Sequence, residues 1–317
     1  MSTDRVAVVV PNFNGERLLP GCLGALRAQT RAPDEVVVVD NGSRDGSREL
    51  VATLHPQARV LALARNRGFA GGANAGVGET AAERVAVLNT DARPARDWLE
   101  RLLAAPAPDH VWAWGSVLVA PGGTRVESAG DHWSDEGYAY KLGHGASVGE
   151  LPGEPYEIFS PPGAAPLFRR DRFLELGGYE ESFFLYFEDL DLSYRALLRG
   201  WRALLVPGAR VEHDLGASGR GWARRYYVGR NALRCTVRCV PEPDARAIAR
   251  RALHELRANP RPALAPFELA GRAAALARLP LTLRERRAIQ AARTLTPAEV
   301  RERLREPAAT AGLPRGT

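Results

Sequence analysis

The chain has 317 residues, 45% of them hydrophobic, which is enough for a substantial core. No apolar run reaches the roughly 18 residues of a membrane-spanning helix, so no transmembrane helix is expected. The net charge of +6 hides a split: residues 1–214 carry 22 basic and 29 acidic side chains, a net −7, while residues 215–317 carry 21 and 8, a net +13.

The first ninety residues alternate. "MSTDRVAVVV" enters a strand-like run directly, without the basic start and long apolar stretch of a secretory leader. Residues 5–11, 34–40, 58–64 and 84–89 read as buried, Val-rich strands. Between them, residues 16–30, 43–55 and 69–83 read as helices, with Pro20 tolerated in a first turn. Continuous apolar strands separated by amphipathic helices predict right-handed βαβ units and a mostly parallel sheet with helices on both faces. Residues 110–120 add a strand, and residues 121–166 read as loops and short antiparallel pieces. "RRDRFLELGGY" predicts a short helix closed by Gly177 and Gly178, residues 187–200 another helix, and residues 201–207 and 209–214 two short strands. From about Gly216 the chain reads as helices, with a frayed tail over the last dozen residues. Cys22, Cys235 and Cys239 are odd in number and fit free thiols in a reducing cytosol; the last two, four apart on a helix, read as packing residues.

In an open α/β sheet, ligands bind beyond the carboxyl ends of the strands. All four early strands end there in polar residues: Asn12 and Asn14; Asp40 with Asn41, Gly42 and Ser43; Arg65, Asn66 and Gly68; Asn89 and Asp91. Asp40 can accept from the imide N–H of uracil or thymine, and Arg65 can pair with phosphate. "NRGFAGGANAG" opens a helix whose N–H groups face an anion, with Asn74 expected to face the same crevice. Asp91 is placed to hold a divalent cation against a diphosphate, since Mg²⁺ or Mn²⁺ takes one or two carboxylates beside phosphate oxygens. A dinucleotide fingerprint would need its glycines after the first strand, where "PNFNGE" stands, and no P-loop occurs. A second constellation, "FFLYFEDLDLSYR", crowds Glu188, Asp189 and Asp191 at a helix start. Helix capping explains acids there, but a wall of aromatics also suits a raised pKa and a general base. His213, after a strand in "ARVEHD", is open to either a structural or a ligating reading.

With "VVVPNFNG", "VVVVDNGSRDGS", "NRGFAGGANAG", "VLNTDA", "PPGAAPLFRRDRFLELGGYEESFFLYFEDLDLSYR" and "VEH" in this order, residues 4–240 resemble family 2 glycosyltransferases of the GT-A nucleotide-sugar-binding fold. The likeness is greatest to the rhamnosyltransferase and galactofuranosyltransferase branch. The resemblance implies an inverting single displacement, with Asp189 as the base, Asp91 as the metal residue and His213 as a further metal contact. It implies a nucleotide pocket lined by Pro11, Asn12, Asn14 and Asp40, and a place behind the reacting groups or beside the acceptor for Glu188 and Asp191. Asn89 stands where the family's metal motif has its first acid, a departure that bears on how tightly a metal binds. The expected donor is a dTDP- or UDP-sugar, dTDP-rhamnose foremost, and the expected acceptor a glycan or polyprenyl-linked sugar in cell-surface polysaccharide assembly. A sugar nucleotidyltransferase and a catalytically inactive sugar-binding scaffold are the alternatives.

These expectations divide the chain into a catalytic unit, residues 1–215, and a basic helical region, residues 216–317. On a helical wheel, Trp222, Tyr226, Leu233, Val237 and Val240 share one face, with Arg220, Arg224, Arg230, Arg234 and Arg238 beside it. Such a helix either docks on the catalytic unit with a solvated basic flank or touches an anionic membrane surface from the cytoplasmic side. No nucleic-acid-binding module is recognisable, and the oligomeric state is not legible.

Overall fold

Alternation along the strands decides the layering. The computed structural model describes residues 4–134, 137–214, 221–258, 265–305 and 308–316. The first half gives β1 (Val6–Asn12), α1 (Leu19–Arg27), β2 (Glu35–Asp40), α2 (Ser47–Leu54), β3 (Arg59–Ala62), α3 (Gly68–Glu79), β4 (Arg84–Val87), β5 (Ala92–Pro94) and α4 (Trp98–Ala104). Then follow β6 (Val111–Val119), β7 (Val126–Ser128), β8 (Asp131–Trp133), β9 (Ala139–Leu142), β10 (Tyr156–Ile158), β11 (Leu167–Arg169), α5 (Arg170–Glu175), α6 (Glu188–Leu198) and β12 (Arg202–His213). The remainder is α7 (Trp222–Cys239), α8 (Asp244–Ala258), α9 (Ala265–Ala277), α10 (Leu279–Ala291), α11 (Pro297–Arg303) and β13 (Arg315–Gly316).

The main sheet runs β10-β12-β6-β11-β4-β1-β2-β3. β3, β2, β1 and β4 are mutually parallel, and β6 and β12 are parallel; β11 joins the two groups by running antiparallel to both β4 and β6. Successive side chains of a strand point to opposite faces. Ala7, Val9, Val37, Val39, Val85 and Val87 therefore pack under α3, with Ala70, Ala73 and Val77. Val6, Val8, Val10, Val36, Val38 and Ala86 pack under α1 and α4, with Leu19, Leu23, Leu26, Trp98 and Leu102. This confirms the expected sheet, buried on both faces.

Three expectations are corrected. The third strand is four residues long and lies at the sheet edge, where Arg59 pairs with Glu35 and Glu79; charge on an edge discourages further strand pairing. Residues 201–207 and 209–214 are not two strands but one, β12, with a register irregularity between Val206 and Arg210. The tail is not frayed throughout: β13 pairs antiparallel with β9.

A third core cluster joins Trp133, Phe159, Phe183, Leu190 and Tyr194 to Cys235, Cys239, Val240, Ile248, Val300 and Leu304 from the basic region. All three cysteines are buried and free. The basic flank of α7 is also corrected. Arg230, Arg234 and Arg238 are buried while Trp222 is 60% exposed. Part of the surface under α7 is made of carbonyls and carboxylates, which require donors, so these three arginines turn inward. Arg220, and the boundary expected at residues 215–216, lie outside the described residues.

Candidate active site

The parallel register sets the first side of the site. Asn12 pairs in register with Asp40, so the ends of β1 and β2 lie side by side. Asp40 is buried, pairs with Arg48 and accepts from the Ser43 N–H. Asn12 Nδ2 donates to Ser43 Oγ, while its buried Oδ1 has no hydrogen-bond partner among the described residues. Asn14 holds a positive φ of 51° and its Oδ1 accepts from the Arg44 N–H. Asn41 ties two loops together, donating to the Gly68 carbonyl and accepting from the Arg67 N–H. Asn66 Oδ1 accepts from the Gly68 N–H. At the tip of β4, Asn89 Oδ1 is buried and unpartnered, like that of Asn12. Buried acceptors left without donors are rare in folded chains, and two on one sheet edge mark a place for a ligand's donors.

The second side is an acid–histidine–acid array. His213, at the end of β12, has Nε2 3.3 Å from Asp91 Oδ1 and donates from Nδ1 to Glu127 Oε2 at 2.8 Å. Glu127 also receives Lys141 Nζ. Burial disfavours a charged imidazole, but Asp91 and Glu127 outweigh it and hold the His213 pKa up at about 9. Burial likewise opposes charge on Glu127, yet His213 and Lys141 hold its carboxyl below the ordinary range. A carboxylate behind one imidazole nitrogen fixes the ring and leaves the other facing outward, the usual support of a metal-ligating histidine. Nε2 makes no hydrogen bond. Two ligand atoms each about 2.1 Å from an octahedral cation stand about 3 Å apart, close to the observed spacing. The donor set therefore fits a divalent cation held between Asp91 and His213.

The third side is the turn before α6. Phe184, Tyr186 and Phe187 all take positive φ, at 67°, 68° and 70°, conformations that bulky side chains seldom adopt. Gly68 at φ +73° lies directly beneath: a Cβ there would fall 2.3 Å from the Phe184 carbonyl oxygen, so only glycine permits this approach. The turn delivers Glu188 and Asp189. Glu188 is 6% exposed with Oε2 unpartnered, and burial, with Asp189 adding like charge, raises its pKa well above the ordinary range. Burial raises Asp189 too, opposed by its bond from the Leu190 N–H and by the ammonium of Lys141. Two neighbouring acids with unequal surroundings share protons unequally. Both carboxyls are pushed toward the neutral form, and Asp189 less so because it keeps a backbone donor and the Lys141 ammonium. Gly163 makes room for it, since a Cβ there would stand 2.7 Å from Asp189 Oδ2.

The three sides meet. The field of Asp189 raises the pKa of Asp131, a half-buried acid whose carboxyl is pushed up chiefly by burial and is opposed by Lys141. Tyr186 feels both Glu188 and Asp91. Asp91, His213 and Asp189 thus gather around Glu127, Lys141 and Tyr186, and Asp40 ends β2 on the same sheet edge as the tip of β4. Pro11 packs beside Gly72 at the foot of that edge.

Asn74 and Asp191 are placed differently from the expectation. The Asn74 side chain does not face the crevice: it donates to the Tyr179 carbonyl and accepts from the Tyr179 N–H, clamping α3 to the chain before the strained turn. Arg65 is exposed and its backbone packs on Gly42. Asp191 cannot touch an acceptor, being wholly buried between Arg195 and Arg238. Glu127, Asp131 and Lys141 were missed, because residues 121–166 lack periodicity. The available signal was chemical: the chain's lone lysine falls in this stretch, among several acids.

The chain is similar in fold and in sequence to known proteins. Solved structures similar in fold include GalNAc-T7 with UDP, GalNAc and Mn²⁺, at TM-score 0.65 and 18% identity over 84% of this chain and 54% of that one. Another is the mannosyltransferase PcManGT of Pyrobaculum calidifontis with GDP-Man and Mn²⁺, at TM-score 0.55 and 21% identity over 96% and 86%. In sequence, the N-acetylglucosaminyl-diphospho-decaprenol L-rhamnosyltransferase of Mycobacterium tuberculosis is 29% identical over 67% of this chain and 76% of its own length. The pre-mycofactocin glycosyltransferase of the same organism is 32% identical over 76% of this chain and 49% of its own. The family model described as "Glycosyl transferase family 2" matches residues 7–177, the span that builds β1 to α5 and carries Asp40 and Asp91, so the chain belongs to glycosyl transferase family 2.

Proposed function

We propose that this protein is an inverting glycosyltransferase. It takes a sugar from a dTDP- or UDP-linked donor, dTDP-rhamnose foremost, and places it on a hydroxyl of a polyprenyl-linked or glycan acceptor in cell-surface polysaccharide assembly. The observation that carries this reading is the Asp91–His213–Glu127 array, with Asp189 linked to it through Lys141. The rhamnosyltransferase relative, whose name specifies a decaprenol-linked acceptor, supports the choice of sugar and acceptor class.

Asp40, held by Arg48, accepts from the imide N–H of the donor's pyrimidine, with Pro11, Asn12 and Asn14 along the nucleotide and Asn89 offering its unpartnered oxygen. Arg65, Asn66 and Gly68 line the diphosphate side. Asp91 and His213 would hold Mg²⁺ or Mn²⁺, whose chemistry is to neutralise charge growing on the departing diphosphate. Glu127 keeps His213 oriented. Asp189 removes the proton of the acceptor hydroxyl as its oxygen bonds to the anomeric carbon and the carbon–phosphate oxygen bond breaks on the opposite face, inverting that centre. Base assistance of this kind contributes about 10²–10⁴-fold. Glu188, neutral beside it, leaves the negative charge on Asp189.

Residues 1–215 are proposed as the catalytic unit and residues 216–317 as a helical region that buttresses it. With Arg230, Arg234 and Arg238 of α7 turned inward, peripheral contact with the cytoplasmic face of a membrane is assigned to the α9–α10 corner, where exposed Leu276, Leu281 and Leu283 stand beside Arg278 and Arg284. No helix among the described residues is long and apolar enough to cross a membrane.

The test is a thermal-shift screen of UDP-, dTDP- and GDP-sugars with and without Mn²⁺ or Mg²⁺, followed by product analysis of any hit. The expected result is cation-dependent stabilisation by one pyrimidine nucleotide sugar, with an anomeric configuration in the product opposite to that of the donor. No stabilisation by any donor, or retained configuration, contradicts the proposal.

A further inference from the structure

The strained turn does not hold itself. Its carbonyls point at a single stripe of α7, a helix outside the span matched by the family model. Arg230 donates to the carbonyls of Ser182 and Phe183 at 2.8 and 2.7 Å. Asn231 Nδ2 lies 3.0, 3.0 and 2.7 Å from the carbonyl oxygens of Phe183, Leu185 and Tyr186, sharing two hydrogens among three acceptors. The Asn231 Oδ1 accepts from Arg230 Nε at 2.9 Å, and this fixes which end of the amide faces the turn. Phe184 stacks on Tyr227 with ring centroids 5.5 Å apart. Arg234 donates to Ser182 Oγ, and Arg238 grips Asp191 and Glu180. Tyr227, Arg230, Asn231, Arg234 and Arg238 recur at the three- and four-residue spacing of one helix face. Asn231 itself is wholly buried, so its amide serves the turn and not the solvent.

We propose that Asn231, oriented by Arg230, is the positioning residue that sets the shape of the acid-bearing turn, and that the C-terminal helix is thereby part of the transfer machinery. Neither side chain touches substrate. Asn231 gathers the carbonyls on both sides of Phe184, and Glu188 and Asp189 follow within three residues of the last of them. Relaxing the three positive-φ residues would swing Asp189 away from the acceptor oxygen, and a misplacement of about 1 Å costs on the order of 10²-fold in rate. The inference rests on the reading of Asp189 as the base.

The experiment compares wild type, Asp189→Asn, Asn231→Ala and Arg230→Lys with the donor found in the screen. Turnover, donor KM, directly measured donor affinity and the pH dependence of kcat are recorded on each folded preparation. For Asn231→Ala, kcat should fall about 10²-fold with donor KM and affinity within about threefold, and the acid limb of kcat should move, because Glu188 and Asp189 change surroundings. Arg230→Lys keeps the charge but loses the oriented bond to Asn231, and should show the same split at smaller size. It decides the matter if Asn231→Ala does not fold. A folded variant with wild-type kcat, or one losing kcat and donor affinity together with an unmoved limb, overturns the inference. A wild type without transfer, or an Asp189→Asn variant at full rate, instead overturns the reading on which it rests.

Discussion

Glu188 and Asp189 are neighbours in sequence with different surroundings. Glu188 turns into the protein with an unpartnered oxygen, while Asp189 takes a backbone N–H and feels Lys141. Their substitutions should therefore separate. Glu188→Gln, which keeps a neutral group beside Asp189, should cost less rate than Asp189→Asn and leave the acid limb of kcat near its wild-type position; a pH–rate series reads this directly. His213→Ala should abolish the cation dependence of donor stabilisation in a thermal-shift assay while leaving the protein folded, whereas Glu127→Gln should weaken it about 10–100-fold, as loss of an outer-shell partner does. At this scale the sequence was informative where a strand tip is polar, as at Asp40 and Asp91. It was silent about Glu127, whose role depends on a non-local approach to His213, 86 residues away in the chain.

The turn before α6 illustrates how elements share their costs. Three bulky residues at positive φ store about 1–3 kcal/mol each, or about 3–9 kcal/mol together. The two bonds from Arg230 and the two hydrogens of Asn231 return about 1.5–3 kcal/mol each for the charged donor and about 0.5–1.5 each for the neutral one, which offsets the strain. α6 and α7 are joined further by Asp191, held between Arg195 and Arg238. Burial raises the Asp191 pKa, but the two guanidiniums outweigh it and leave it below the ordinary carboxylate range. A group with a depressed folded pKa stabilises above its unfolded value and loses that contribution as pH falls through the folded one. The melting temperature should therefore hold from neutrality to about pH 5 and fall below about pH 4. Arg238→Met should cost about 3 kcal/mol at pH 7, at the lower end of the range for a broken buried pair because Arg195 remains, as chemical denaturation would show. The parallel strands were legible here because burial on both faces leaves an unmistakable Val-rich run. The inward turn of the α7 arginines was not, because helical periodicity gives a face but not what that face will meet.

For the whole molecule, the split of charge between an acidic body and a basic C-terminal region suggested an external anionic partner, but much of that partner lies within the chain. Glu180, Asp191 and Glu285 take Arg234 and Arg238, and the carbonyls of the acid-bearing turn take Arg230. The third core cluster crosses the same boundary. A chain ended at residue 215 should consequently expose Trp133, Phe159 and Tyr194, bind a hydrophobic dye and lose transfer; a truncated chain that melts cooperatively at the full-length temperature would contradict this. The central claim concerns the meeting of the two sides of the site, a nucleotide–metal edge at Asp91 and His213 and a base at Asp189. It is tested most directly by measuring donor affinity calorimetrically and transfer rate kinetically on one preparation of Asp189→Asn with Mn²⁺ present. The account predicts donor affinity within about threefold of wild type and a transfer rate lower by about 10²–10⁴-fold. An unchanged transfer rate would contradict it.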